Sequence, residues 1–307
     1  MIAQKTAIDW LRFRTKTDPL EVFEALKSSF PTHAPFFNLK PQQRGILGFQ
    51  QASLICADDF VIGRMDYGGD SQRGWVRVDI PGKGCKWMDL DAIELIEQLP
   101  QSEIRRLDIA LTTWNGEVNH DQVVNAHSAG GFTGNGRPPN LQQILNSDGG
   151  RTCNVGTREK SDKFMRCYEK GYEMLAQLGG KRPDTVTHIE GSRIQDIYRC
   201  EVELKASTRP IPWEVVGRRD QYFAGAYPFC SEVLPGIEVD ILKGRPERDP
   251  QTSLDAALEN CRVQFGPTLY TALHAFHGDI GALLEKVVGN HHCQSLLEAG
   301  VLLVEHD

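Results

Sequence analysis

Three short segments with a period of two constrain this chain more than anything else in it. They are Arg106-Leu107-Asp108-Ile109-Ala110-Leu111, Lys163-Phe164-Met165-Arg166-Cys167-Tyr168-Glu169-Lys170 and Tyr198-Arg199-Cys200-Glu201-Val202-Glu203-Leu204-Lys205. Side chains alternate across a strand, so residues two apart share a face. In the first segment Leu107, Ile109 and Leu111 form the apolar set and Asp108 lies opposite. In the third, Cys200, Val202 and Leu204 oppose Arg199, Glu201, Glu203 and Lys205. In the second, Phe164, Arg166, Tyr168 and Lys170 share a face, and Cys167 and Glu169 point away. Such segments predict a sheet with one face on a core and the other in water. If the three are neighbours, the wet face gathers Asp108, Glu201, Glu203, Tyr168, Arg166 and Lys170.

The rest of the pattern suits an α+β fold. Residues 6–15 read as a strand with Ile8, Trp10 and Arg12 on one face and Asp9, Leu11 and Phe13 on the other. Asp18 then precedes an amphipathic helix carrying Leu20, Val22, Phe23, Leu26 and Phe30. Residues 45–57, 60–67 and 75–80 read as strands, and 89–99 as a helix. Strand (106–114), helix (120–128), a hairpin (151–157 with 163–170) and a last strand (196–205) follow. Strand, helix, strand, strand, helix, strand is the ferredoxin-like or RRM-like order, so two similar antiparallel halves, 1–100 and 101–210, are expected. Residues 211–250 read as a connecting segment with short helices and a charged, Pro-containing linker, and 251–307 as a helical tail. Residues 178–192 and the Gly/Pro-rich 130–139 read as loops; the latter lacks the Gly-Lys-Ser/Thr ending of a phosphate-binding loop.

Composition sets the class. With 307 residues the chain can bury one large or two ordinary cores, and 40% hydrophobic and 24% charged residues are ordinary for a globular protein. No apolar run approaches a membrane span and no signal-peptide pattern opens the chain, so a cytoplasmic protein without a membrane partner is expected. The eight cysteines lack close metal-like pairs and read as reduced core thiols. A net charge of −7 argues against bulk electrostatic binding of nucleic acid, although Arg105/Arg106, 158–166 and 199–209 are local basic clusters.

The gathered face has a chemical logic. Converging carboxylates such as Asp108, Glu201 and Glu203 bind a hard cation, Mg²⁺ or Mn²⁺, which polarises a phosphate. A tyrosine oxygen can attack phosphorus and form a covalent phosphotyrosine. Tyrosine ionises near pH ~10 and needs help from a cation such as Lys170, while Arg166 can hold phosphate oxygens in a fork. Any sheet with a wet face alternates in this way, so on pattern alone the plain solvated face is the commoner reading.

The chain resembles the replication initiation factor family of rolling-circle plasmids and filamentous phages. The resemblance rests on Ile8-Asp9-Trp10-Leu11, Arg106-Leu107-Asp108-Ile109-Ala110, Asn154-Val155-Gly156-Thr157-Arg158 with Ser161 and Lys163, Arg166-Cys167-Tyr168-Glu169-Lys170-Gly171, and Arg199-Cys200-Glu201-Val202-Glu203-Leu204-Lys205. These segments cover about two-thirds of the chain and are specific as an ordered set. The resemblance implies an enzyme that nicks one strand at a replication origin, keeps the 5′ phosphate, and later rejoins the ends. It implies Tyr168 as nucleophile, Asp108 and Glu201 as metal ligands, and Glu203 as a weaker one. Arg106, Arg158, Lys163, Arg199 and Lys205 are candidate DNA contacts. Tyr172, four residues on, is a candidate second nucleophile. Single-stranded or cruciform origin DNA is the expected partner, with a host helicase and a second copy of the chain as further candidates. Two departures stand out: Glu169 follows the tyrosine where the family often has Asp, and the His-hydrophobic-His pair of many other rolling-circle nucleases is absent. Two other readings stay open: a non-catalytic module for single-stranded nucleic acid, and a carboxylate-metal nuclease that uses water.

Overall fold

The computed structural model describes residues 5–134, 137–146, 150–179, 186–243 and 250–303. Contacts divide the chain into two compact units, residues 1–244 and 245–307.

The first unit is built on one ten-stranded sheet. Its strands are β1 (Ala7–Thr15), β2 (Phe37–Gln42), β3 (Gln51–Ala57), β4 (Phe60–Tyr67), β5 (Val76–Pro81), β6 (Glu103–Thr113), β7 (Leu141–Leu145), β8 (Arg151–Val155), β9 (Lys163–Tyr168) and β12 (Tyr198–Lys205), with β10 (His188–Ile189) and β11 (Ser192–Arg193) forming a separate ribbon. The helices are α1 (Pro19–Ser28), α2 (Gly82–Cys85), α3 (Glu94–Glu97), α4 (His120–Ser128), α5 (Lys170–Gln177), α6 (Glu214–Gly217), α7 (Arg219–Ala224) and α8 (Pro228–Val233). The sheet order is β2-β3-β4-β5-β1-β6-β12-β9-β8-β7, and every neighbouring pair is antiparallel.

Outward from the β1–β6 seam, the order is β1-β5-β4-β3-β2 on one side and β6-β12-β9-β8-β7 on the other. The two sides thus share one topology: a first strand, a helix (α1 or α4), then four strands that walk back from the outer edge. This is not the ferredoxin-like order expected from the sequence. There the strand after the first helix lies near the first strand, in a split βαβ unit. Here that strand, β2 or β7, sits at the sheet's edge, because hairpins join it to its successors. One such hairpin turns at Asp58 and Asp59, with Asp58 in the left-handed region at φ 55°.

Alternation places the core. Leu107, Ile109, Leu111, Cys200, Val202, Leu204, Met165 and Cys167 are buried on one face, with Phe132, Phe223, Tyr227 and Phe229 in the same cluster. A register shift between Ile8 and Trp10 puts an extra residue in β1. Ile8 therefore joins Leu11 and Phe13 in the core, rather than Trp10 and Arg12, as a bulge requires. Asp18 caps α1 by accepting from the Leu20 N–H at 2.8 Å, and Asn119 closes a capping box on α4. Residues 211–234 do more than connect: Ile211, Val215, Val216, Phe223 and Phe229 belong to the main core. Residues 135–136 of the Gly-rich loop and 244–249 of the linker lie outside the described residues.

The second unit contains α9 (Pro250–Ala275), α10 (Ile280–Val287) and α11 (Gln294–Glu298), and Asp279 caps α10 at the Ala282 N–H, 3.0 Å away. Among the described residues no helix is long and apolar enough to cross a membrane.

Candidate active site

Register decides which side chains meet. On β12, Glu203 lies opposite Asp108 of β6 and Phe164 of β9, Glu201 opposite Ala110 and Arg166, and Arg199 opposite Thr112 and Tyr168. Opposed residues share a face, so Asp108, Glu201, Glu203, Arg166 and Tyr168 occupy one face of three adjacent strands, as the alternation predicted.

The carboxylates form the floor of this face and the cations its roof. Asp108, Glu201 and Glu203 are 2%, 5% and 3% exposed, whereas Arg158 and Arg166 side chains are 45% and 37% exposed. Arg106 forks onto Asp108 at 2.8 and 2.6 Å and reaches Glu203 at 3.0 Å. Arg158 and Lys205 also hold Glu203, at 2.7 and 3.2 Å, and Arg166 holds Glu201 at 2.8 Å. Burial lifts the Asp108 carboxyl to about 6, against the pull of Arg106, and the neighbouring carboxylates push the same way. For Glu203 burial also pushes upward, but Arg158, Arg106 and Lys205 outweigh it and hold the carboxyl below its ordinary value.

The donor type is right for Mg²⁺ or Mn²⁺, yet the arrangement does not fit one. Each of the three carboxylates is already bonded by a guanidinium or ammonium group. Among the described residues no cluster of three or more His, Cys, Asp or Glu is placed to hold a metal ion.

Tyr168 ends β9 and is 6% exposed. The Arg166 guanidinium lies 4.8 Å from its ring centre and the Lys170 ammonium 5.6 Å. Burial pushes its hydroxyl pKa upward, Arg199 and Arg166 oppose this, and Glu201 and Glu173 reinforce it. Arg199 is itself braced by Asp9, 3.0 Å away, and by the Thr112 hydroxyl at 2.9 Å. Asp9 sits at the bulge in β1, so the irregularity turns a carboxylate under the tyrosine's strand neighbour.

Two expected site residues do not lie on the wet face of β9. Lys170 is not on β9; it is the first residue of α5, and it reaches the tyrosine from the helix. Lys163 has the phase of Met165 and Cys167, so its ammonium group points to the core side, bonds the Ala226 carbonyl and lies 4.0 Å from the Tyr227 ring centre. That removes it from the DNA-contact set. Tyr172 is half-buried on α5 and packs with Leu175 and Ile189. Glu169 points away and binds Arg151, as its phase implied.

Glu173 is the residue that strand phase missed. Its carboxylate accepts hydrogen bonds from Lys170 at 2.5 Å and from Gln177 at 3.1 Å, and it stands near enough to Tyr168 for the two groups to shift each other's ionisation. Burial would raise its pKa, but Lys170 and Tyr168 hold it below the ordinary value. The signal was present as an i,i+3 Lys-Glu pair, legible only once a helix is taken to start at Lys170. Tyr168, Arg166, Phe164, Thr152, Tyr172 and Glu173 line one open cleft of about 1750 Å³ beside β7, β8 and α5.

Comparisons with known proteins bear on the family and the fold. Residues 102–250, which hold every residue of this site except Asp9, match the profile of a family described as replication initiation factor. The rolling circle replication initiator protein from Geobacillus stearothermophilus has a similar structure: TM-score 0.53, 18% identity, covering 78% of this chain and 99% of that one. At that identity the likeness speaks for the fold. No curated protein matches the chain. The match to the replication initiation factor family spans residues 102–250, just under half of the chain.

Proposed function

We propose that this protein nicks and rejoins single-stranded origin DNA during rolling-circle replication, with Tyr168 as the nucleophile. The observation that carries the reading is the grouping of Arg166, Lys170 and Arg199 around Tyr168, with Glu173 held beside it by Lys170. A buried tyrosine is a poor nucleophile while it holds its proton, and a carboxylate kept ionised by Lys170 is placed to take that proton as attack begins. The tyrosine oxygen bonds to phosphorus, the bond from phosphorus to the 3′ oxygen breaks, and that oxygen leaves with a proton. The 5′ phosphate stays on the enzyme, and the reverse step rejoins the strand. Arg166 and Arg199 answer the charge that builds on the phosphoryl oxygens.

Mg²⁺ or Mn²⁺ at Asp108, Glu201 and Glu203 would require Arg106 and Arg166 to release carboxylate oxygens, so no step here passes through a metal. The burial of Tyr168 favours a second reading, a face that binds single-stranded DNA without cutting it.

Single-stranded origin DNA incubated with the protein and run on a denaturing gel separates the readings. A covalent adduct lost in Tyr168→Phe supports the proposal. Cutting that survives the change points to water or Tyr172, and binding without cutting points to the module. Parallel reactions with Mn²⁺ or a chelator show whether the arginines yield their carboxylates.

A further inference from the structure

The wet face does not end at the β1–β6 seam. Arg12 lies opposite both Arg106 and Asp79, and Arg77 lies opposite Arg14 and Asp66, so β1, β5 and β4 continue the face that carries Asp108. This half repeats the arrangement of its counterpart. Its carboxylates again lie on the floor, with the Asp66 and Asp79 side chains 0% and 9% exposed. Its guanidinium groups again form the roof, Arg64, Arg12 and Arg14 being 25%, 28% and 35% exposed. Arg12 bonds Asp79 at 2.6 Å, Arg64 and Arg77 bond Asp66 at 2.8 and 2.9 Å, and Arg77 also bonds Asp79. Two indoles are fixed on the same side. Trp10 donates to Asp79 at 3.0 Å, and Trp75 lies under Arg14 and Lys16, whose charged groups are 3.9 and 5.2 Å from its ring centre.

One element of the other half is absent. Where β9 faces β12 with Arg166 and Tyr168, β4 faces β5 with Arg64 and Asp66. The ion pairs are repeated and the nucleophile is not. Burying carboxylates beneath partly exposed arginines costs desolvation, and what solvent meets on this face is mainly cation, although Glu103, 38% exposed, pairs with Arg14 at its end. That is a poor arrangement for stability alone and a good one for phosphates. The chain's net charge of −7 makes such a local surplus of exposed cations the more selective.

We propose that the face over β1, β5 and β4 is a non-catalytic surface for the DNA backbone, with Arg12, Arg14 and Lys16 meeting phosphates of the DNA that leads away from Tyr168. It rests on the DNA-processing reading above. From β9 to β5 there are four strand spacings of ~4.8 Å, about 19 Å. That distance is roughly six base pairs at ~3.4 Å each.

Fluorescein-labelled oligo(dT) and a random-sequence duplex, titrated at several salt concentrations, test it. Each lost phosphate contact lowers the slope of log affinity against log salt by about 0.9 on duplex DNA. The Arg14→Gln/Lys16→Gln double variant is expected to lose nearly two units of slope and to bind severalfold more weakly, and Arg14→Lys/Lys16→Arg to restore both. An unchanged slope overturns the proposal. Ultraviolet cross-linking of wild-type protein to oligo(dT) gives a second readout that needs no variant. Recovery of peptides containing Trp10 or Trp75 supports it, and peptides from residues 102–205 alone overturn it. Neither readout requires cutting, so failure of Tyr168 as nucleophile would be seen separately.

Discussion

In the proposed reaction Glu173 is the base that lets the buried Tyr168 act as a nucleophile. Because Lys170 and Tyr168 keep its pKa low, it remains a base into the acid range. Glu173→Gln keeps the shape and one hydrogen bond but cannot take a proton. Adduct formation should fall by about 10²–10⁴, the usual worth of a positioned base, and a single-turnover pH profile should lose its acid limb. An unaltered rate would sink the assignment. A second titration concerns stability. The Asp108 carboxyl sits at about 6 against an ordinary 3.8, chiefly through burial. The folded protein therefore holds that proton more tightly than the unfolded chain. This stabilisation is complete below about pH 4, is lost as pH rises to about 6, and amounts to roughly 3 kcal/mol. Asp108→Asn removes the titration and adds a pH-independent cost from Arg106. The melting temperature of the variant relative to wild type should thus improve between pH ~4 and ~6; a constant difference would contradict the raised pKa. Strand phase alone makes Arg166, Tyr168, Asp108, Glu201 and Glu203 legible in the sequence. It sets Lys163 on the core side, against its candidacy as a DNA contact, and it fails at Lys170 and Glu173, where the chain changes from period two to period 3.6 with only Glu169 between.

Elements with a buried face were legible, and those without one were not. β1, β6, β9 and β12 alternate strongly because one side meets the core. β2 and β7 stand at the two edges of the sheet, are largely exposed, and carry no comparable pattern. α5 is short and begins Lys-Gly-Tyr, a poor helix start by propensity, so packing must hold it. Gly171 is where it docks. A Cβ there would stand 2.0 Å from the Ile194 carbonyl oxygen, and the Gly171 N–H donates to the Ile197 carbonyl at 3.1 Å. Gly171→Ala must push α5 off the 194–197 turn, carrying Lys170 and Glu173 from Tyr168. We expect a loss of about 1–3 kcal/mol in denaturant unfolding, the usual size for overpacking. We also expect a fall in adduct yield larger than the unfolded fraction explains. Normal yield from the folded variant would mean that α5 does not position the reaction.

At the scale of the molecule, one topology occurs twice in a sheet with no matching sequence motif between its halves. A half needs only an apolar phase, a helix after its first strand, and hairpins that bring the next four strands back; many sequences meet those terms. That is why α+β layering could be read and strand order could not. Order depends on which edges meet across long separations, and alternation carries no such information. The same reasoning bears on where the function resides. All ten strands of the main sheet, the main core and every site residue named above lie in residues 1–244. The second unit holds none of them, and its own core is slight: Leu283 and Val301 are its buried apolar residues among those described. A chain ending at residue 244 should therefore unfold in a single cooperative transition and still form the Tyr168 adduct on single-stranded DNA. Denaturant melts followed by tryptophan fluorescence, with the gel assay on the same samples, give both answers. A fragment that folds but forms no adduct would place an essential part of the reaction in the helices after residue 250. One that does not fold would show that the sheet's core is incomplete without them.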